Sequence, residues 1–390
     1  MAERAYWLAW TQAKGLGPIL LKRLCSHFGT LSTAWRASGA ELLEVDGIGL
    51  GLGSSLLAYR QTVDPLALLA RYEQQQTNFC TPADAEYPAL LYEIDDPPPV
   101  LFYRGRLELA SALQVMPSVG VVGTRNPSDY GRRWTCRLVQ QLVNHDVVVV
   151  SGLAKGVDRY AHQQTLDSRG LTIAVLGTGV DQVYPSVNRD LYDRIAHHGL
   201  LLSEHPNGTP PERAHFPRRN RIIAGLSRAV VVTEAPARSG ALITAQLAND
   251  YGRDVFAVPG SLDNLNSEGC LELINQGAQM ILNDMTLIAA LGQLPQLRPV
   301  ESEAMGPEPV RPVASRTDEA RDRITHTTTP SPSLSPAMAQ VLAAITDKPA
   351  TLDHLVNKIA QPTGEVLATL VQLELLGLVT QLPGMRYQRG

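Results

Sequence analysis

The sequence predicts an α/β protein with an extended Rossmann-like, doubly wound and mostly parallel sheet, flanked by a helical domain on each side along the chain. The first observation is that Val/Ile-rich strand patterns alternate with helical patterns from Thr81 to Ile288. The nearly unbroken apolarity of these strands is typical of a parallel sheet buried on both faces. The second is that glycines follow most of the strands, at the edge where such sheets bind ligands.

The bulk composition is that of a globular protein with several domains. The chain has 390 residues, of which 44% are hydrophobic and 18% charged, with a net charge of -4. No apolar run is long enough to cross a membrane, and the N-terminus does not resemble a signal peptide. The four cysteines are scattered and have no metal-ligand spacing. We therefore expect a cytoplasmic protein without disulfides, bound metal or cofactor.

Residues 1–65 are predicted to form a helical domain of the helix-hairpin-helix or SAM-like type. Gly15 and Gly17, and again Gly47 and Gly49, precede apolar helical patterns. Glycine turns of this kind can expose backbone amides to a phosphate. A small helical bundle without a ligand would fit the same glycines, and the sequence does not decide between the two.

Composition changes again after the predicted core, residues 81–290. Residues 291–335 are rich in Pro, Ser, Thr and charge, which predicts a flexible linker. Residues 336–390 contain three amphipathic helical patterns and a hairpin pattern turning at Pro383-Gly384, which indicates a winged-helix domain. Because its second and third helices carry few cations beyond Lys358, a protein contact or weak DNA binding is at least as well supported as major-groove recognition.

Two loops of the core combine accessible backbone with one cation each. In "VVGTRNPSDYG", Arg125 follows a strand and Ser128 is expected to cap the next helix. In "SGLAKGVD", Lys155 can reach an anion that the backbone approaches closely. An ordinary strand–turn–helix with a stray cation is the alternative interpretation. The predicted contacts in these loops are Gly123, Thr124, Arg125, Ser128, Ser151, Gly152, Lys155 and Gly156.

The segment "HFPRRNRIIAGLS" concentrates positive charge. Five arginines and one acid lie between Glu212 and Arg228, a local charge of +4 in an acidic chain. We expect the arginines to stand at a helix start, where cations are unfavourable unless they meet an anion. A solvated basic face is the alternative. The predicted contacts are Arg218, Arg219, Asn220 and Arg221.

The segment "TEAPARSGALITA" completes this edge of the sheet. Glu234 follows a strand, and Ser239 and Gly240 open a helix whose N-terminus should point at the same crevice. The predicted contacts are Glu234, Ser239, Gly240 and Thr244. Several helix N-termini and cations converging on one edge indicate a polyanion bound through its backbone. The sequence has neither a Walker lysine motif nor a Gly-x-Ser-x-Gly elbow, so nothing in it demands catalysis.

Taken together, the motifs "VGTRNPSDYG", "SGLAKGVD", "AVLGTGVDQVYPSVN", "FPRRNRIIAGLS" and "VVVTEAPARSGALITAQLA" resemble the DprA/Smf family of DNA-processing proteins, over roughly residues 87–282. The resemblance implies a non-enzymatic protein that binds single-stranded DNA, protects incoming strands during natural transformation and loads the RecA recombinase. It also implies a homodimer formed through the Rossmann-like core. One departure is Leu271, where the family often carries a polar residue.

The fold is also similar to nucleotide phosphoribohydrolases of the lysine-decarboxylase-like group, which makes a nucleotide-cleaving enzyme the alternative function. Those enzymes resemble one another in a Pro-Gly-Gly-x-Gly-Thr-x-x-Glu pattern at a helix start. Here Thr244 and Ala245 stand near the position of that glutamate. The sequence therefore favours binding without catalysis. A regulator that binds duplex DNA through the winged helix is a third, weaker possibility.

Overall fold

The computed structural model divides the chain into two compact units, Met1–Glu303 and Ala304–Gly390. Most of the predicted linker, from residue 293 onward, lies outside the described residues. The predicted domain boundaries stay predictions. The residues that the structure describes are 2–292, 336–345, 350–359, 361, 366, 368–370, 372–373, 378–382 and 386–389.

The first unit begins with helices packed around tryptophans and leucines. Gly15 and Gly47 precede α2 (Pro18–Phe28) and α5 (Leu50–Thr62) with φ of 84° and 92°, a left-handed conformation that favours glycine. Trp10 and Leu24 are fully buried among these helices. The last helix ends at Gln74, and its Leu69 packs in one cluster with Phe102 of the sheet. The helices are α1 (Ala2–Thr11), α2 (Pro18–Phe28), α3 (Leu31–Arg36), α4 (Gly39–Leu43), α5 (Leu50–Thr62) and α6 (Pro65–Gln74).

The rest of the first unit alternates strands and helices. The apolar runs "PVLFYRG", "SVGVVG", "DVVVVSG", "LTIAVLG", "LLLSE", "RAVVVTE" and "DVFAVPG", which the sequence predicts as strands, all form strands, and two short outer strands are added at Phe79–Cys80 and Gln279–Met280. The elements are β1 (Phe79–Cys80), α7 (Ala89–Tyr92), β2 (Leu101–Gly105), α8 (Glu108–Ala112), β3 (Ser118–Val122), α9 (Asp129–Asn144), β4 (Val148–Ser151), α10 (Val157–Asp167), β5 (Thr172–Val175), α11 (Arg189–His198), β6 (Leu200–Ser203), α12 (His215–Gly225), β7 (Ala229–Val232), α13 (Gly240–Asp250), β8 (Asp254–Ala257), α14 (Glu268–Asn275), β9 (Gln279–Met280) and α15 (Asp284–Leu291).

The strand order is β1-β2-β6-β5-β4-β3-β7-β8-β9. Strands β3 to β9 are parallel, whereas β2 pairs antiparallel with β6 and β1 antiparallel with β2. The parallel part of the sheet starts at β3, moves outward to β6, and returns to the other side of β3 with β7. This reversal between β3 and β7 is the topological switch point, where doubly wound sheets open a crevice for ligands. The prediction of a doubly wound, mostly parallel sheet is confirmed.

The second unit combines helices with a small antiparallel sheet. Its strands β10 (Ala350–Thr351), β11 (Val379–Leu382) and β12 (Arg386–Arg389) are ordered β10-β12-β11. Val341, Leu355 and Tyr387 are buried in its core. The predicted hairpin is present as β11 and β12, while its turn at Pro383-Gly384 lies outside the described residues. The elements are α16 (Pro336–Ala344), β10 (Ala350–Thr351), α17 (Leu352–Ile359), β11 (Val379–Leu382) and β12 (Arg386–Arg389). Within the described ranges, no helix is long and apolar enough to cross a bilayer.

Candidate nucleic-acid interface

A cleft opens at the switch point, between the carboxyl ends of the central strands and helices α12 and α13. It consists of a cavity of about 640 Å³ and an adjoining cavity of about 320 Å³ that share Arg125, Tyr184, Phe216 and Arg219. We call the two together the strand-end cleft. Ten of the predicted contacts line it: Gly123, Thr124, Arg125, Gly152, Lys155, Arg219, Asn220, Ser239, Gly240 and Thr244. The other six predicted residues, Ser128, Ser151, Gly156, Arg218, Arg221 and Glu234, are not among its lining residues.

The loop after β3 is held from below by a buried carboxylate. Ser128 caps α9 as predicted, its Oγ accepting from the Gly131 amide at 3.2 Å. Glu234, which is 1% exposed, accepts from the Ser128 amide at 2.7 Å and from Ser128 Oγ at 2.6 Å. Glu234 Oε1 also accepts a hydrogen bond from Asn264 Nδ2, at 3.2 Å. Glu234 therefore supports the loop that carries the exposed Arg125.

The loop after β4 is shaped by Asp158 in the same way. One carboxylate oxygen of Asp158 accepts from the amides of Gly152 and Ala154, at 3.2 and 3.3 Å. Burial raises the pKa of Asp158, and the nearby Arg219 opposes that shift. These bonds turn the chain so that Lys155 lies exposed at the tip.

Two of the predicted contacts in this loop have structural roles. Ser151 is fully buried and donates from Oγ to the carbonyl of Val121 at 2.7 Å, which ties β4 to β3. Gly156 has φ of 78°, and a Cβ there would overlap the carbonyl of Thr124. A glycine is therefore required where the two loops meet.

Helix α12 begins at His215, earlier than the sequence indicated. Pro217 fits in its first turn, where a missing amide proton costs nothing. Arg218, Arg219 and Arg221 therefore lie inside the helix, and the expectation that the arginines stand at the helix start is wrong. The three arginines project from different sides of α12, and each side chain therefore has different neighbours.

Arg219 is a buried cation under the cleft. It is 5% exposed, and its Nη1 donates to the carbonyl of Gly152 at 2.6 Å and to that of Val175. Burial lowers its pKa to about 10, so the guanidinium is still charged at neutral pH. A Cβ on Gly152 would overlap this guanidinium, which explains the glycine. Arg219 therefore adds a positive charge beneath the strand-end cleft.

Arg221 is equally buried, but it forms ion pairs with two acids. Its Nε lies 3.1 Å from Asp96 Oδ2 and its Nη2 2.5 Å from Glu204 Oε2. Together with the exposed Arg218 it lines a separate cavity next to the cleft. Asn220 remains on the cleft side, where its Nδ2 donates to the carbonyl of Gly240 at 3.2 Å. The predicted run of arginines is thus divided between two cavities.

Helix α13 points its N-terminus at the cleft, as the sequence predicted. Ser239 is its N-cap and accepts from the Ala241 amide at 3.3 Å. Gly240 lines the cleft with open space where a Cβ would stand, and Thr244 lies buried behind it. The first amides of α13 and their positive dipole therefore favour an anion at this end of the cleft.

The predicted contacts did not include the aromatic side of the cleft or two of its cations. Tyr184 and Phe216 form a ring pair with centroids 5.5 Å apart, and the Arg125 guanidinium lies 5.9 Å from the Phe216 ring. Arg213 and Arg238 also line the cleft and are exposed. The sequence contained a signal for two of these residues. Phe216 adjoins the arginine run, and Arg238 directly precedes the Ser239 cap.

The cleft has a clear electrostatic character. Its exposed charged side chains are Arg125, Lys155, Arg213 and Arg238. Asp158 is the one acid among the described lining residues, and its carboxylate is already engaged with backbone amides. The described ranges contain no group of three or more His, Cys, Asp or Glu side chains suited to a metal ion. The geometry suits an extended anion that also presents flat rings.

Two models of known protein families together match most of the chain. The model described as DNA recombination-mediator protein A matches residues 78–292, and the DprA winged helix domain matches residues 325–385. Protein Smf of Synechocystis sp. is 48% identical over 395 residues, covering 100% of this chain and 99% of that protein. DNA processing protein DprA of Streptococcus pneumoniae is 48% identical over 203 residues, covering 52% of this chain and 70% of that protein.

Two solved structures are similar to the core. The structure of DprA from Streptococcus pneumoniae has a TM-score of 0.64 and 37% identity, covering 73% of this chain and 97% of that one. A structure of DprA from Helicobacter pylori, described for its single-stranded DNA binding mode, has a TM-score of 0.50 and 32% identity, covering 55% of this chain and 95% of that one. The α/β core and the C-terminal winged helix predicted from the sequence are confirmed.

Proposed function

Because the chain belongs to the DprA/Smf family of DNA-processing proteins, we propose that it is a recombination mediator that binds single-stranded DNA in the strand-end cleft. The observation that carries the proposal is the pairing of exposed cations with accessible rings in one cleft. Arg125 and Lys155 suit the phosphates, and Tyr184 and Phe216 suit the bases. The Helicobacter pylori relative, described as binding single-stranded DNA, supports the same substrate.

The aromatic pair favours a single strand over a duplex. Base faces in a duplex are covered by their neighbours, whereas an unpaired strand can lay them on aromatic side chains. Tyr184 is 43% exposed, so one face of the pair is open to a base. Backbone amides at the start of α13 and in the loop after β3 add contacts that do not depend on sequence. We therefore expect binding with little sequence preference.

The wider role that we propose follows the family. The protein would protect incoming single strands in the cytoplasm during natural transformation, load RecA onto them, and act as a homodimer formed through its core. A loading assay tests this role: single-stranded DNA is coated with single-strand-binding protein, and ATP hydrolysis by RecA is followed with and without the chain. Faster hydrolysis in its presence is expected. No acceleration would refute loading while leaving DNA binding untouched.

We propose a binding protein rather than an enzyme. The nucleotide-cleaving alternative needs a free acid in the cleft, and Asp158 is held by two amides. Incubation with nucleoside monophosphates, followed by chromatography for free base, tests the alternative. Release of base above the level without protein would favour the enzyme.

The direct test of DNA binding is a titration with labelled single-stranded and double-stranded oligonucleotides at two salt concentrations. We expect the single strand to bind more tightly, with an affinity that falls as salt rises. A chain shortened by residues 336–390 is expected to keep most of its affinity, because the cleft lies in the first unit. Tighter binding of the duplex, or loss of most affinity on shortening, would move the site to the winged helix.

A further inference from the structure

A second cavity, of about 570 Å³, lies beside the strand-end cleft, and we call it the flanking cavity. It shares the wall residues Pro217 and Ile243 with the cleft. Its far wall is the first turn of α2, so the N-terminal helices contribute to it directly. Helix α12 supplies Arg218 and Arg221 to this cavity and Arg219 to the cleft. Because the walls are shared, neighbouring nucleotides of one strand can occupy both spaces.

The walls of the flanking cavity are mainly apolar. Ile19 of α2 and Ile243 of α13 line it and are 46% and 44% exposed, and Leu20 and Leu247 extend the same surface. Partly exposed aliphatic side chains from two helices therefore meet across an open space. Covering them with a flat, weakly polar ring removes apolar area from water, which is favourable. The volume lies within the range of small-ligand sites.

The charges at the flanking cavity argue for a base rather than a phosphate. Arg221 is paired with Asp96, which lines the cavity, and with Glu204, which does not, and Arg218 adds one exposed cation. Because Arg221 is neutralised by its acids, a phosphate here would gain the attraction of Arg218 alone, against four exposed cations in the strand-end cleft. The strand-end cleft is different, because its exposed cations have no exposed acid beside them among the described lining residues.

We propose that the flanking cavity binds one nucleobase of the strand whose backbone lies in the strand-end cleft. The inference rests on the proposed function, since it assumes that the cleft holds single-stranded DNA. The base lies between Ile19 and Ile243, and its sugar–phosphate crosses the shared wall at Pro217. The first turn of α2 is then part of the DNA site, and side chains of the N-terminal helices contact the bound base.

The test is the Ile19→Asp variant of the full chain. Ile19 is half exposed in the first turn of α2, where an acidic residue is favourable, so the fold should tolerate the change. The matched control is Leu50→Asp, because Leu50 opens α5 after the other glycine turn, is 76% exposed and does not line the cavity. Affinity is measured by fluorescence anisotropy for two labelled strands of equal length, one of mixed sequence and one entirely abasic. Salt of about 0.15 M limits repulsion from the new carboxylate to roughly 8 Å.

We expect Ile19→Asp to weaken binding of the mixed-sequence strand about tenfold, which corresponds to about 1.4 kcal/mol. Binding of the abasic strand should be unchanged, and Leu50→Asp should affect neither strand. Equal affinities of the two variants for the mixed-sequence strand would overturn the subsite. An equal loss for both strands would also overturn it, since the cavity would then hold backbone. If the wild-type chain binds neither strand, the proposed function fails, and the subsite with it.

Discussion

Removing the two exposed cations at the loop tips should change the salt dependence of DNA binding by a calculable amount. Arg125 and Lys155 lie on the loops after β3 and β4, both exposed and both lining the strand-end cleft. If each neutralises one phosphate, the variant Arg125→Ala with Lys155→Ala releases two fewer counterions on binding. Each contact on a single strand contributes about 0.7 to the slope of log affinity against log salt.

The two contacts together contribute about 1.4 to that slope. Over a fourfold rise in salt, the wild-type chain should therefore lose roughly sevenfold more affinity than the variant. The assay is fluorescence anisotropy with a labelled oligonucleotide at four or more salt concentrations. Both side chains are exposed, so the free energy of unfolding should stay within about 0.5 kcal/mol of the wild type.

A control variant removes the same charge elsewhere. Arg71→Ala with Arg169→Asn takes two exposed cations from α6 and from the turn before β5, and neither residue lines the strand-end cleft. Asparagine is chosen at position 169 because φ there is 59°, a left-handed conformation that it tolerates. The control should keep the wild-type slope. Equal slopes for the wild type and the cleft variant would refute the cleft as the phosphate site.

Three further predictions concern the rings, the buried ion pair and acid stability. Phe216→Ala should weaken single-strand binding by about 5- to 150-fold in the same assay, the worth of one stacked base, while Phe216→Tyr should not. Arg221→Ala removes the buried guanidinium that pairs with the partly buried Asp96 and Glu204, and it should lower the free energy of unfolding by up to about 3–5 kcal/mol in urea titrations. Burial lowers the pKa of His162 to about 3. As the pH falls below about 6.5, the imidazole is therefore protonated in the unfolded chain but not in the folded one. The free energy of unfolding should consequently fall by up to about 1.4 kcal/mol per pH unit on acidification. His162→Gln should reduce that fall in urea titrations at pH 7 and 5; an unchanged fall would exclude His162 as its source.

The fold was predictable because strands that are buried on both faces consist almost entirely of apolar residues. Runs such as Val148–Ser151 are apolar on both faces, and each one is a buried strand of the sheet. The outer strands β1 and β9 have two residues each and are too short to leave a pattern. The antiparallel direction of β2 depends on where the chain returns, and no local pattern encodes that.

The site was predictable at its loops and helix caps but not at its buried arginines. Ser128 and Ser239 are local signals, because an N-cap acts within a few residues of itself. The role of Arg221 depends on Asp96, far away in the sequence, and on Glu204 from the end of β6, so it appears only in three dimensions. Phe216 was overlooked because the charge of the adjoining arginines dominates that segment.

Photo-crosslinking tests the central claim most directly. A single-stranded oligonucleotide containing photoreactive bases is irradiated with the full chain, and the crosslinked peptides are identified by mass spectrometry. Crosslinks at Tyr184 and Phe216 are expected, because their rings form the aromatic side of the cleft. Crosslinks confined to residues 336–390 would contradict the account and assign DNA binding to the C-terminal unit.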